Sequence, residues 1–459
     1  MDFVALLRGI IGIALLLGIA FLFSNNKKKI NWKLVGSGLL IQLFFAVLIL
    51  KGDQLGSWFA PLSWPKDFFR YVSGFFVLIL NFTSEGAKFV FGNLGLGPGN
   101  EGSFGVFFAF QVLPTIIFFS SLMSVLYYLG IMQKIVQGMA WLMAKLMGTS
   151  GAESLSCTAN IFVGQTEAPL MIRPYIKGMT QSELLTIMVG GMATIAGGVM
   201  AAYIQILGTA FAQANNVPLQ EAQLMFATHL LGASVMAAPA ALLLSKILYP
   251  ETSEPETKGK VKVEVEKTSS NVIEAAASGA SDGLTLALNV AAMLIAFIAI
   301  IALFNYFLGW LGGITGVNTF TSNTFGADLS LQVIFGAVLQ FIAFGIGVPW
   351  DSAYQFGSLI GTKVVLNEFV AYLDMGNLIQ AKTFVNEKAI LMATYALCGF
   401  AHVASLAIFV GGVSALVPQK TRELSQIGFR ALVAATLACM MTACIAGVFL
   451  SGNSLLFGK

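Results

Sequence analysis

Eight stretches of this chain are apolar over about 20 residues each, the length a helix needs to cross the hydrocarbon core of a bilayer. They fall near residues 3–23, 33–51, 106–129, 182–211, 223–247, 284–310, 388–415 and 428–451. Within lipid every backbone N–H and C=O must be satisfied by the protein itself, so such a chain folds as packed helices. Of the 459 residues 57% are hydrophobic and 10% charged, against about 25% charged in soluble domains. The expectation is an all-α integral membrane protein with eight transmembrane helices. A net charge of +3 and the lack of a basic aromatic module argue against a nucleic acid polymer as partner. Cys157, Cys398, Cys439 and Cys444 lie in apolar surroundings without metal-ligand spacing and read as small buried hydrophobes. The run from Phe3 to Phe23 is too long for a signal-peptide core and meets Lys27-Lys28-Lys29 instead of a cleavage site, so it reads as a retained first helix.

Cytoplasmic loops retain Lys and Arg, which sets the orientation. Lys27, Lys28, Lys29 and Lys33 lie between the first two runs. Lys246, Lys258, Lys260, Lys262 and Lys267 follow the fifth, and Lys420, Arg422 and Arg430 separate the last two. The connections at 212–223 and 311–330 contain neither residue. Both termini are therefore expected outside. Residues 52–105 are expected to form an outer-surface or partly inserted helix, because the apolar run Tyr71–Leu80 is short and Glu85 and Lys88 follow it. Met132–Met147 has an amphipathic pattern with Lys134 and Lys145 and is expected along the cytoplasmic interface.

Two apolar segments are interrupted by polar residues. In the first, Asn160-Ile161-Phe162-Val163-Gly164-Gln165-Thr166-Glu167-Ala168-Pro169, an amide, a hydroxyl and a carboxylate are consecutive. Arg173 and Lys177 return this segment to the side it entered from, as a re-entrant hairpin. The second runs from Gly347-Val348-Pro349-Trp350-Asp351 through Gly361-Thr362-Lys363 to Leu366-Asn367-Glu368-Phe369, and an interfacial helix over Leu329–Ile346 is expected to lead into it. Broken helix at membrane depth is tolerated only where it lines a cavity or is buried in protein. The order span, surface helix, broken hairpin, span, span thus occurs at about 106–247 and again, with opposite orientation, at 284–451. Inverted repeats of this kind point to a secondary transporter with a substrate site near the midplane. The expected divisions are 1–105, N-terminal helices and outer segment; 106–249, first repeat; 250–282, a solvated cytoplasmic linker and surface segment; and 283–459, second repeat.

Polar patches fall at matching places: Gln165, Thr166 and Glu167 against Asn367 and Glu368, and the glycine-rich Gly190–Gly198 stretch against Cys398–Ser405. Carboxylates, amides, hydroxyls and an imidazole suit a neutral solute with many hydroxyls and nitrogens. Phe400 can supply a stacking face. Structural roles stand beside these. Glu167 and Glu368 can be helix caps or ion-pair partners, and Thr194 and Ser405 can bond back to a carbonyl one turn earlier. His402 reads equally as a ligand contact or a satisfied core histidine, and His229 as structural. Lys363 is expected to pair with Asp351 or a hairpin carbonyl.

At these residues the sequence resembles the concentrative nucleoside transporter family. The likeness is carried by Gly164-Gln165-Thr166-Glu167-Ala168-Pro169, Gly347-Val348-Pro349-Trp350, Asn367-Glu368-Phe369-Val370-Ala371 and Cys398-Gly399-Phe400-Ala401, in the family's order. The resemblance implies a homotrimer of eight-span protomers with two re-entrant hairpins, and a transport domain that moves past a scaffold. It also implies that Gln165, Thr166 and Glu167 bind the nucleobase, with Val199 packing on it. Glu368 and Ser405 would bind the ribose hydroxyls, with Phe400 nearby. A sodium ion would take Asn160, Thr194 and the carbonyls of Val163 and Ile195. Where the family commonly has Asn-Phe-Ser/Gly-Ser this chain has His402-Val403-Ala404-Ser405, so a titratable ring stands in for the ribose-bonding Asn.

The function expected from this reading is import of nucleosides by cation symport, with Na+ favoured over H+, in a bacterial inner membrane and surrounded by lipid. A proton-coupled symporter is the nearest alternative and a solute channel the next. No nucleophile–base motif, metal cluster or cofactor loop accompanies the carboxylates, so neither an enzyme nor a cofactor is expected.

Overall fold

A computed structural model describes residues 3–97, 101–105, 107–259 and 269–449, and among them the secondary structure is helical. Helices α1 (Phe3–Leu22) and α2 (Trp32–Leu50) are the first two spans, and Asn31 starts α2 by accepting the N–H groups of Lys33 and Leu34. A short α3 (Gly52–Gly56) leads to α4 (Trp64–Phe91). At 28 residues α4 is long and apolar enough to cross a membrane, and its apolar residues are gathered on one face, as in the surface or partly inserted helix expected over 52–105.

The first repeat begins with α5 (Phe108–Gln111), α6 (Leu113–Tyr128) and α7 (Ile131–Met147). Hairpin 1 consists of α8 (Gly151–Ala159), an irregular tip, a 3₁₀ turn and α9 (Arg173–Ile176). The expected fourth span is two helices, α10 (Gln181–Ala193) and α11 (Gly197–Asn215), separated at Thr194–Ala196 inside the glycine-rich stretch. Helix α12 (Leu219–Leu248) closes the repeat and is apolar and buried on nearly all sides. A helix apolar all round belongs inside other protein.

The second repeat begins with α13 (Val272–Thr315), which at 44 residues absorbs Asn271–Asp282 into its own first turns. No separate surface segment exists there, a correction to the 250–282 division. After α14 (Val317–Phe325), α15 (Leu331–Gly345) turns through 120° into α16 (Trp350–Val365), and α17 (Glu368–Gln380) completes hairpin 2. The expected span over 388–415 is broken into α18 (Glu387–Leu397) and α19 (Val403–Leu416), each too short to cross alone. Helix α20 (Thr421–Phe449) is the last, and positions 450–451 of the eighth expected span lie outside the described residues, as does position 106 of the third. Among the described residues eight helices are long and apolar enough to cross singly, α4 among them, while the expected span over 388–415 is present as the two halves α18 and α19.

Two packing relationships position the site. Helices α6 and α13 run antiparallel in close contact, since a Cβ at Gly279 would lie 2.5 Å from Ser124 and one at Gly283 would lie 2.8 Å from the Ile117 backbone. Small residues let the backbones approach, and Ser121 Oγ donates to the Ala276 carbonyl across the seam at 2.8 Å. Residues 250–258 are mostly exposed to solvent, as expected of a linker, but are tethered at Glu251 and Thr257. Gly151 N–H donates to the Thr257 carbonyl (3.0 Å), Ala152 N–H to Thr257 Oγ1 (3.1 Å) and Thr180 Oγ1 to Glu251 (2.7 Å). Beneath them the buried Lys246 ammonium lies 2.7 Å from Glu153. This strap clamps the base of hairpin 1 to α12, leaving its tip as the free end.

Candidate substrate and ion site

The tips of both hairpins and the breaks in both interrupted spans meet in one region. Helix ends leave backbone groups unpaired, so a broken helix at depth must find partners nearby. Here the breaks supply each other: Phe400 N–H donates to the Thr194 carbonyl at 3.3 Å. Gly399 allows the crossing, because a Cβ there would lie 2.7 Å from the Ala193 carbonyl oxygen. Gly197 N–H, at the start of α11, donates to the Phe162 carbonyl of hairpin 1 at 3.1 Å.

Hairpin 2 presents Glu368 at the start of α17, behind Asn367, whose side chain caps the helix by accepting Val370 N–H at 2.9 Å. Glu368 is 3% exposed. Its Oε1 accepts the Tyr203 hydroxyl at 2.7 Å, and its Oε2 lies 3.1 Å from His402 Nε2 without hydrogen-bond alignment. His402 is the N-cap of α19: its Nδ1 accepts the Ser405 N–H at 3.2 Å. In the neutral ring the proton is therefore on Nε2, facing the carboxylate. Ser405 is buried and its hydroxyl has no partner. Phe400 is half-buried beside these groups, and Val199 is buried in the first turn of α11.

Hairpin 1 presents a looser cluster. Gln165 is buried with its Oε1 unpartnered, whereas Thr166 and Glu167 are exposed. The Glu167 carboxylate folds back over Gly164, and a Cβ at Gly164 would meet it at 2.1 Å. A larger residue there would displace the carboxylate. Thr166 Cγ2 lies against Gly412 of α19 and Gln165 Cβ against Gly191 of α10, so the cluster is wedged between the halves of the two broken spans. Among the described residues no hydrogen bond joins Gln165, Thr166 or Glu167 to Glu368, His402 or Ser405.

Behind this tip lie the groups expected to hold a cation. Asn160 caps the end of α8 with 0% exposure; its Nδ2 donates to the Ser156 carbonyl at 2.9 Å and its Oδ1 has no partner. The Ser156 and Thr158 hydroxyls on α8 are also buried and unpartnered. Thr194 Oγ1 donates to the Gly190 carbonyl at 2.8 Å, which leaves its lone pairs available. Ile195 is fully buried and Val163 half-buried, with no hydrogen bond accepted by either carbonyl among the described residues. Buried neutral oxygens without donors, at the carbonyl ends of α8 and α10, fit a small hard cation. No group of three His, Cys, Asp or Glu suited to a transition metal occurs among the described residues.

Tyr203 was not legible as a site residue. Its only sequence signal is a hydroxyl two turns beyond Gly197 in an otherwise apolar half-helix. Lys363 pairs with neither Asp351 nor a hairpin carbonyl among the described residues: its Nζ donates to the Ala396 carbonyl of α18 at 2.9 Å. His229 contacts the Tyr395 hydroxyl at 3.2 Å, away from the cluster.

Comparison with known proteins agrees along the whole chain. Residues 11–94 and 229–447 match family models described as the N-terminus and C-terminus of Na+ dependent nucleoside transporters, and residues 109–210 match one described as nucleoside recognition. An uncharacterized transporter of Haemophilus influenzae is 43% identical, over 97% of this chain and 98% of its own. Sodium/nucleoside cotransporter 1 of Mus musculus is 38% identical over 95% of this chain, which spans 63% of the mouse protein's length. The solved structure of CNTnw in an inward-facing substrate-bound state is 39% identical, covers 98% of both chains and superposes with a TM-score of 0.83.

Proposed function

The chain belongs to the concentrative nucleoside transporter family, and on that premise we propose the residues through which it moves its substrates. It is a multi-pass plasma-membrane secondary transporter, not an enzyme, and it imports nucleosides in a Na+-dependent manner. The observation that carries the site assignment is the buried Glu368 carboxylate at the crossing of two broken helices. One oxygen is held by Tyr203, and each oxygen retains a lone pair for a further donor.

In this reading Glu368 accepts the vicinal ribose hydroxyls and the free Ser405 hydroxyl adds a third contact. Phe400 and Val199 give the apolar wall, and Gln165, Thr166 and Glu167 take the edge of the base. His402 acts through Glu368. Its Nδ1 is committed to the Ser405 N–H and its Nε2 faces the carboxylate, so it offers the ribose no free acceptor. Na+ sits on Asn160 Oδ1, the Thr194 hydroxyl and the carbonyls of Val163 and Ile195. It binds at the end of α8, in the same hairpin that carries Gln165–Glu167. Ion and nucleoside therefore order one element, and each raises the other's affinity by the same factor. The functional unit is a homotrimer.

The test is uptake of labelled uridine and adenosine into proteoliposomes under an inward Na+ gradient, an inward proton gradient, or neither. Accumulation above equilibrium with Na+ alone supports the assignment. Accumulation with protons alone moves the coupling role onto Glu167, Glu368 or His402, and uptake that never exceeds equilibrium would mean a channel.

A further inference from the structure

The inverted repeats place the end of a hairpin arm against the end of a half-helix twice. In the first repeat the arm is α8 and the half-helix α10; in the second they are α16 and α18. Each such junction gathers carbonyl ends, which carry partial negative charge and leave acceptors without donors. The two junctions are filled differently. At the first the side chains are the neutral Ser156, Thr158, Asn160 and Thr194, and three of their oxygens have no partner. At the second stands Lys363, in the last turn of α16, four residues before Asn367 and five before Glu368. Asn160 likewise precedes Gln165 by five.

Lys363 is 1% exposed and makes no ion pair among the described residues. Its Nζ donates to the Ala396 carbonyl at 2.9 Å, in the last turn of α18 and two residues before the break at Cys398. An ammonium buried without a carboxylate is costly. The Ala396 carbonyl at the end of α18, packed against the end of α16, offsets part of this cost, and carbonyl ends of this kind are also what a bound metal cation would require.

We infer that the Lys363 ammonium is a tethered cation occupying the second repeat's counterpart of the sodium site, which limits the protomer to one mobile cation per nucleoside. The inference rests on the proposed Na+ site at Asn160 and Thr194. It gives the two hairpins unequal duties. Hairpin 2 is bonded permanently to α18 by a covalently held charge, so Glu368 stays positioned whether or not Na+ is present. Hairpin 1 is drawn to α10 only when the ion arrives. Ion sensing therefore belongs to hairpin 1 alone.

The experiment measures charge moved per uridine in proteoliposomes, together with the Na+ dependence of uptake. The wild type is expected to move about one charge per uridine with a Hill coefficient of about one. Lys363→Asn recreates a neutral oxygen-bearing junction, and is expected to raise both values toward about two. Lys363→Arg keeps the charge and is expected to keep the wild-type values. A transporting Lys363→Asn protein with wild-type charge ratio and Hill coefficient overturns the inference. If Lys363→Asn does not yield transport, the recovery of monodisperse purified protein in NaCl against choline chloride decides. Recovery several-fold higher in NaCl supports a new cation site, and equal recovery overturns it. Asn160→Ala separates the two readings: unchanged Na+ dependence there removes the first site and leaves the Lys363 measurements to be judged alone.

Discussion

Tyr203 and Glu368, 165 positions apart, share a hydrogen bond of 2.7 Å with both groups buried, joining the outer half of one broken span to the tip of the opposite hairpin. Tyr203 also packs on hairpin 2, with its ring centroid 4.8 Å from Phe369 and 4.3 Å from Tyr372. The bond fixes one carboxylate oxygen before substrate arrives. Hydrogen bonds to charged groups contribute about 1.5–3 kcal/mol, so Tyr203→Phe is expected to raise the KM for uridine roughly tenfold or more while the aromatic packing holds the fold. Uptake kinetics at matched membrane levels test this, and an unchanged KM would mean that the tyrosine only packs.

The two hairpin carboxylates are not equivalent. Glu368 is buried and held, whereas Glu167 is exposed and folded over Gly164. Replacing either by the isosteric amide keeps shape and removes charge. Glu368→Gln and Glu167→Gln are each expected to reduce uptake at least about tenfold with insertion intact, Glu368→Gln more severely because a held carboxylate has no substitute acceptor nearby. Uptake near the wild-type rate in either variant, with normal surface expression, would remove that residue from the site.

Most of the architecture could be read in the sequence because lipid permits so few folds, and a polar residue in an apolar run has few harmless explanations. Gln165–Glu167, Asn367-Glu368 and the glycine-rich 190–198 stretch announced the hairpin tips and one break. What escaped depends on position in three dimensions. The break at Cys398–His402 lies in a stretch apolar enough to pass for a continuous span, and only the crossing against Thr194 explains it. Tyr203 shows its role only once α11 lies beside hairpin 2. Residues 250–258 have the composition of a solvated linker, yet their backbone caps α8 through Thr257.

His402 brings an imidazole 3.1 Å from the Glu368 carboxylate proposed to bind ribose. When the ring is protonated, the contact becomes an ion pair that competes with substrate hydroxyls for Glu368 Oε2. Asn at this position would not change charge. Protonation of the ring is therefore expected to raise the KM for nucleoside several-fold, read as a difference between neutral and acidic buffer. His402→Asn is expected to flatten that rise while keeping transport. Parallel pH profiles in the two proteins would show that the acid response, if any, arises elsewhere.

Asn160 offers the most exposed weakness of the ion site, because its Oδ1 has no protein partner while its Nδ2 is already bonded to Ser156. Asn160→Ala deletes an acceptor without a partner among the described residues and one donor to the Ser156 carbonyl, which keeps its bond from the Asn160 backbone N–H, so folding should change little. The Na+ concentration for half-maximal uptake is expected to rise at least about tenfold. By reciprocity the apparent nucleoside affinity at fixed Na+ should fall as well. Tight nucleoside binding that no longer depends on Na+ would instead place the ion elsewhere.

The clamp around Lys246 makes the last prediction, one about stability instead of transport. Lys246 is 4% exposed and lies 2.7 Å from Glu153, 3.6 Å from Glu251 and 2.9 Å from the Ser182 hydroxyl. Glu153 in turn completes the capping box of α8, and Glu183, which accepts from Ser150, completes that of α10. Two carboxylates thus pair with one ammonium, with Glu183 close by through Ser150, and removing the ammonium leaves Glu153 buried without its counter-charge. Lys246→Met is expected to cost about 3–5 kcal/mol, the usual penalty for stranding a buried charge. Detergent-solubilised protein should accordingly unfold at a lower temperature. The double variant Lys246→Met with Glu153→Gln removes one stranded charge and should recover part of that loss. If the single and double variants unfold at the same temperature, the lysine contributes packing and not charge balance at the base of hairpin 1.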